Sequence, residues 1–391
     1  MIKLNHASSV VTAILPRGAA PEAVDALRDS LGLGVLSWDA RGTLLQDQWW
    51  KRWVPPISPA KTMLQLLAPS HEVDAVERTI IQAANLDKQS TGAIYSTPCM
   101  QAYMGDDFTA WQIDWLDSDE TEPVAMPENL AAIHCIVGHQ DSERICKAAV
   151  NAGAHGPVIY YSEGRGLRDR LGWLRITKEP EKEVLTVITE GEDADAVFDA
   201  MADAGNLHLP GRGFMYIHPI SKGMFNLRSR STHQHHTASM QQMVSAIDHL
   251  AGHSHWRDSS VINIDGQARA AGLGNISPIV ELNNQVCLST ICHREDASAL
   301  MDIMLEAGAP GLNFNFARYR EGTEVRSSSR AQLSEEYASL RCITHSETAE
   351  EICRLLSAAS SQRHITDFCA YLVKAPRVAT YVPGKRDYRA A

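Results

Sequence analysis

The chain has 391 residues, with 36 basic against 47 acidic side chains and a formal charge of −11. That length exceeds one ordinary core and accommodates about two to four domains, three of roughly 100 residues fitting without strain. The acidic balance excludes a protein that holds nucleic acid through a uniformly basic surface. Cysteines at 99, 135, 146, 287, 292, 342, 353 and 369 form no C-x-x-C pair and fall largely in apolar runs, so they read as reduced packing residues. No stretch reaches the roughly 18 apolar residues of a membrane span, and Met1–His6 carries no apolar signal region, which together predict a cytoplasmic chain.

In chain order, a strand is predicted over Val10–Leu15, a turn at Gly34, a strand over Lys61–Leu67 and another over Ala93–Tyr95 that closes at Pro98. Residues 101–128 follow as an acidic linker, with acidic side chains at 106, 107, 114, 117, 119, 120, 122 and 128 and no basic one, pinned by Trp111 and Trp115. The next segment has a strand at Ala131–Val137, an alanine-rich helix at Ser142–Ala152, a strand after Gly156 and a long polar loop. Its third strand, Glu183–Thr189, precedes a helix with apolar spacing at Ala194, Val197, Phe198 and Met201, and Phe214–Ile217 is its last strand, ending at Pro219. Residues 232–281 form a histidine-rich linker with a helix over Ala238–Leu250, whose Met240, Met243, Val244 and Ile247 make one apolar stripe. The outline then returns at Val286–Ile291, Gly311, Ala338–Thr344 and Cys369–Tyr371, closing at Pro376.

The spacings agree. From first-strand start to closing proline the three segments span 88, 88 and 90 positions, and from strand start to turn glycine 24, 25 and 25. Two of the turns share letters as well, Gly153-Ala154-His155-Gly156 and Gly308-Ala309-Pro310-Gly311, where glycine suits a helix end that runs directly into a strand. The order points to an α+β chain of three tandem ferredoxin-like β-α-β-β-α-β modules at 1–100, 129–231 and 282–384, each an antiparallel sheet with both helices on one face.

Residues 129–230 resemble the PII superfamily of nitrogen-regulatory signal proteins. The likeness is carried by Gly153-Ala154-His155-Gly156, the long loop, Glu181-Lys182-Glu183-Val184, the second helix, and Pro210-Gly211-Arg212-Gly213-Phe214 before the last strand. The first and third modules match in layout only. PII proteins are homotrimers with nucleotides bound between subunits, so the resemblance implies that this chain is an intramolecular pseudo-trimer, alone or as a dimer of pseudo-trimers. It implies a regulatory protein rather than an enzyme, with an adenine nucleotide (ATP, ADP or AMP) as effector, no required cofactor, and no nucleic-acid partner. The regulated partner would be a protein such as a membrane transporter, a metabolic enzyme or a transcription regulator.

By the same resemblance, the loop Gly205–Gly213 would wrap phosphates, with Gly205, Pro210, Gly211, Arg212 and Gly213 in the cradle and Lys222 and Arg228 as further cations. The chemistry is sound, since glycines let backbone amides approach oxygens and a guanidinium adds a forked contact; a plain Pro-Gly-x-Gly tight turn is the alternative. The corresponding segments Lys88–Gly92 and Arg363–Asp367 lack the glycine-rich cradle, and Phe214 stands where PII proteins usually carry a lysine. The family's long-loop glutamine and tyrosine have no counterpart. The three long loops would dock the partner through Trp49, Trp50, Arg52 and Trp53 in the first module, Arg165, Arg168, Arg170 and Arg175 in the second, and Arg320 and Arg326 in the third.

Two other readings stay open on the residues. His233, His235, His236, His249, His253 and His255 crowd one linker, and the i,i+4 pair His249 and His253 suits zinc or nickel, which would make a metal-responsive regulator. An enzyme of unrecognised class is the other, although no G-x-S-x-G, Walker, H-E-x-x-H or strand-linked G-x-G-x-x-G motif occurs.

Overall fold

In the computed structural model of the chain, the described residues are 2–4, 7–43, 60–88, 92–105, 108, 123–139, 141–166, 181–226, 250, 281–282, 284–320, 336–363 and 365–380. After the short β1 (Ile2–Lys3), the first segment runs β2 (Ser8–Pro16), α1 (Ala20–Leu31), β3 (Val35–Gly42), β4 (Ala60–Pro69), α2 (Val73–Ala84) and β5 (Gly92–Met104). The second runs β6 (Glu128–Val137), α3 (Ser142–Asn151), β7 (His155–Gly166), β8 (Glu181–Glu190), α4 (Ala194–Gly205) and β9 (Gly213–Asn226). After β10 (Glu281–Leu282), the third runs β11 (Gln285–His293), α5 (Arg294–Glu306), β12 (Gly311–Arg320), β13 (Glu336–His345), α6 (Ser346–Arg363) and β14 (Phe368–Ala375), with β15 (Val378–Thr380) behind it.

Within each segment the strands lie in the spatial order second, third, first, fourth, all antiparallel: β3-β4-β2-β5, β7-β8-β6-β9 and β12-β13-β11-β14. The three sheets also join edge to edge. β5 pairs with β9 and β3 with β7; β12 pairs with β7 and β15 with β9; β14 pairs with β5 and β12 with β3, so every segment is stitched to both others.

Period-2 alternation sorts the side chains of each sheet onto two faces. In the second segment Ile133, Cys135, Leu185, Val187 and Met215 turn toward α3 and α4 and share a core with Phe198. The third segment does the same with Leu288, Leu340 and Leu372 against α5 and α6. The opposite faces, including Ile136, Val184, Tyr216, Ile291, Tyr319 and Tyr371, merge with the core of the first segment into one common interior. Burial on both faces explains why these strands read as nearly continuous apolar runs.

The helices are ordinary amphipathic ones. Pro21 sits in the first turn of α1, and Gly32 ends it in the left-handed conformation at φ 63°. Asn85 and Asn206 end α2 and α4 in the same way, each at φ 51°.

Two strand ends expected from prolines are displaced. β5 and β9 continue past Pro98 and Pro219, reaching Met104 and Asn226, so the first four residues of the expected acidic linker are strand. Proline lacks a ladder donor and is tolerated where a strand's edge is not fully engaged. Both prolines fall there: β5 leaves β2 at Pro98 and takes up β14 from Cys99, while the far edge of β9 passes from β15 at Phe214–Tyr216 to β5 at Lys222.

Candidate functional site

The loop from Gly205 to Gly213 is shaped by the end of α4. Asn206 turns the chain into the left-handed region, Leu207 folds back fully buried, and its amide donates to the Ala202 carbonyl at 3.1 Å. The Leu209 and Arg212 amides are taken by turn bonds to the Asn206 and Leu209 carbonyls, at 2.9 and 3.4 Å. Gly211 has φ 80° and Gly213 φ 127°. A Cβ on Gly213 would meet the Ile136 carbonyl oxygen at 2.1 Å, and one on Gly92 the Ile14 carbonyl oxygen at 2.2 Å. Glycine at the start of the fourth strand therefore serves close packing on the first strand in two segments; Phe368 holds that place in the third.

Around this loop the structure assembles a polar cluster across the joint between the first and second segments. Glu183, fully buried on β8, accepts hydrogen bonds from Arg41 Nη2 of β3 at 2.9 Å and from His139 Nδ1 at 2.9 Å. Asp141, two residues beyond His139, accepts from Arg144 at 2.8 Å and lies 3.5 Å from Arg212 Nη1. The Arg41 Nε and Glu183 Oε2 atoms are buried without a partner among the described residues. Three guanidiniums thus stand beside these two carboxylates, with Arg212 half-exposed at the rim. Such a rim can accept an anion through a charge-assisted fork.

Other residues expected at this site lie elsewhere. Lys222 stands nine positions along β9 from Gly213, about 30 Å away at the rise of an extended strand. Its ammonium pairs with Asp74 and, at 2.9 Å, with the fully buried Glu77, both on α2. Burial pushes the Glu77 carboxyl up, with Lys222 working against that shift; for Lys222 itself burial works downward and is outweighed by the two carboxylates. Lys222 is a joint between segments, and Arg228 lies outside the described residues.

Of the expected docking residues, Arg165 is on β7, where its guanidinium pairs with Asp302 of α5 at 2.9 Å and bonds Ser298. Arg320 is the last residue of β12. Trp49, Trp50, Arg52, Trp53, Arg168, Arg170, Arg175 and Arg326 lie outside the described residues, as do His233, His235, His236, His249, His253 and His255. Among the described residues, no group of three or more histidine, cysteine or acidic side chains is arranged to hold a metal ion.

A second polar constellation, not anticipated from the sequence, lies in the common interior. Register places Thr12, Gln65 and Tyr95 side by side in the first sheet, His134, Thr186 and Tyr216 at the same places in the second, and Ser289, Arg341 and Tyr371 in the third. The Tyr371 hydroxyl donates to Gln65 Oε1 at 3.2 Å, linking the third sheet to the first. Arg341 Nη1 donates to the Tyr160 hydroxyl, and its guanidinium lies 5.6 Å from the centre of the Trp38 ring, spanning all three sheets. His134 stacks on Tyr216 at 5.1 Å, and His218, 4.9 Å from the same ring, donates from Nδ1 to the Lys374 carbonyl at 2.9 Å.

Burial, with His218 and Arg341 adding to it, holds His134 far below the usual imidazole range. Burial likewise pushes His218 down to about 4, the Lys374 carbonyl opposing and Arg341 reinforcing the shift. Burial raises the phenols of Tyr160, Tyr216 and Tyr371, so all three are neutral at ordinary pH. The visible signal in the sequence is a tyrosine at the fourth position of each segment's last strand, Tyr95, Tyr216 and Tyr371.

No family model matches the chain, and no curated protein does. Among solved structures, Arabidopsis thaliana PII bound to citrate aligns over 24% of this chain and 79% of its own, at 16% identity and a TM-score of 0.19.

Proposed function

We propose that this chain is a PII-like regulatory protein, a single-chain pseudo-trimer that binds a small anionic effector at the joint between its first and second modules and acts on a partner protein through its long loops. The observation that carries this reading is the threefold recurrence of one strand order, with the three sheets joined edge to edge and their helix-free faces sharing one interior. An arrangement that separate subunits would reach by association is reached here by one polypeptide folding back on itself.

The effector of this reading is an adenine nucleotide, its phosphates against Arg212 and the loop of Gly211, with Arg41 and Arg144 supplying the surrounding positive charge. Binding would act by preferring one arrangement of the adjoining loops over another, which shifts the population competent for the partner. Of the chain's cations, Arg212 is the one this reading needs at the rim, because it is half-exposed and only loosely held by Asp141. Calorimetric titration of the full chain with ATP, ADP and AMP tests it. Binding to the wild type that weakens by about 1.5–3 kcal/mol in Arg212→Ala is the expected result. Failure of all three nucleotides to bind rejects the nucleotide, and equal affinity in Arg212→Ala rejects the site.

A further inference from the structure

Arg341 presents a charge problem that the nucleotide reading does not touch. It lies on β13 at the centre of the interior shared by the three sheets, enclosed by Trp38, Tyr160, Tyr216, Tyr371 and Cys287. A guanidinium does not give up its proton in a protein, so the group is a fixed positive charge in the middle of the molecule. Among the described residues, no carboxylate lies within ion-pair distance of it; its hydrogen-bond acceptor is the neutral Tyr160 hydroxyl. Enclosing a charge without a counter-charge costs several kcal/mol, and proteins ordinarily place a carboxylate beside it.

The group is enclosed but not sealed. Arg341 keeps part of its surface exposed, and none of its nitrogens is among the fully buried atoms that lack a partner. Its donors other than Nη1 meet no acceptor among the described residues. A second observation points the same way: Trp38 Nε1, on the ring over which the guanidinium lies, is a buried donor without an acceptor among the described residues. The Tyr160 hydroxyl accepts from Arg341, so its own proton is left to donate elsewhere. The charge is positive, and His134 and His218 are held neutral beside it.

We propose that Arg341 and the donors around it form an axial binding site for a small planar oxyanion, of the size of formate, nitrate or bicarbonate. Planarity follows from the fork of the guanidinium, which matches two coplanar oxygens. Small size follows from the enclosure by aromatic rings contributed by all three sheets. Because each sheet contributes a wall, an anion here ties the three modules together and stabilises their assembled form. The site is separate from the Arg212 rim and stands or falls independently of it.

The test uses the full chain in sodium gluconate, with formate or nitrate replacing gluconate at constant ionic strength, and reads the unfolding midpoint. A ligand bound only by the native state raises the midpoint along a saturable curve. The expected result is such a curve in the wild type and in Arg212→Ala, and none in Arg341→Met. Should Arg341→Met fail to fold, Arg341→Lys keeps the charge and loses the fork, and its half-saturating formate concentration should rise at least about tenfold. The proposal is overturned by a flat response in the wild type, by an unchanged curve in either Arg341 variant, or by loss of the curve in Arg212→Ala, which would move the anion to the rim.

Discussion

Acidification should loosen the assembled core through His218. This imidazole is buried on the inward face of β9, with Nδ1 donating to the Lys374 carbonyl of β14 at 2.9 Å. A carbonyl can only accept, so the neutral ring carries its proton on Nδ1, and acid must add the second proton at Nε2. That would create a charge in the same interior as Arg341, which together with burial holds the folded-state value at about 4. The unfolded ring takes up its proton near about 6.5, so below that pH the unfolded chain binds more protons than the folded one and stability falls as pH falls. The contribution is intact above about pH 6.5, is lost progressively toward the folded value, and levels off below it.

The gap between 6.5 and about 4 corresponds to roughly 3 kcal/mol in full, of which about 2 kcal/mol is lost between about pH 7 and about pH 5. His218→Gln keeps a donor for the Lys374 carbonyl and cannot titrate. Urea unfolding at both pH values should therefore show the wild type losing about 2 kcal/mol more than His218→Gln, while the loss from His134 is common to both. Equal losses in the two proteins, or a His218 ring that titrates near its ordinary value by NMR, would refute the account of the interior as a place where a second charge is excluded.

Lys222→Met should destabilise the fold by about 3 kcal/mol, because it leaves the fully buried Glu77 carboxylate without its cation, yet leave nucleotide affinity unchanged; calorimetry and urea unfolding on the same protein separate the two. Gly213→Ala should cost about 2 kcal/mol or more, through the positive φ and the 2.1 Å approach to the Ile136 carbonyl oxygen. Gly18→Ala, where a Cβ meets nothing within 4 Å, should stay within about 0.5 kcal/mol, and similar thermal midpoints for these two glycine variants would show the strand start to be more pliable than described.

Much of the fold was legible along the chain. Strand starts expected at Val10, Ala131 and Val286 fall inside β2, β6 and β11, the helix expected over Ser142–Ala152 begins where α3 begins, and Ala194, Val197, Phe198 and Met201 all fall on α4. Local rules suffice for that, since apolar runs, helical spacing and glycine punctuation act over a few residues. Strand ends were less legible, because whether a proline stops a strand depends on what its far edge meets, and Pro98 and Pro219 sit at partner changes made by other parts of the chain.

The site was less legible than the fold. The glycines and Arg212 of the 205–213 loop stand out in the sequence, but Arg41, 142 positions from Glu183, does not, and neither does the Glu77 that takes Lys222 across 145 positions. Nothing local couples such residues; only the joining of sheet edges brings them together. Arg341 was hidden for a different reason. It lies within an apolar run, Ala338–Thr344, in a strand buried on both faces, where alternation carries no contrast to say which side is which. By itself the sequence determined the three β-α-β-β-α-β outlines and the tyrosine in every fourth strand, because both are set by short-range pattern. The tertiary structure alone decided that those tyrosines and the Arg341 guanidinium meet in a common interior, because that follows from three sheets turning their helix-free faces toward one another.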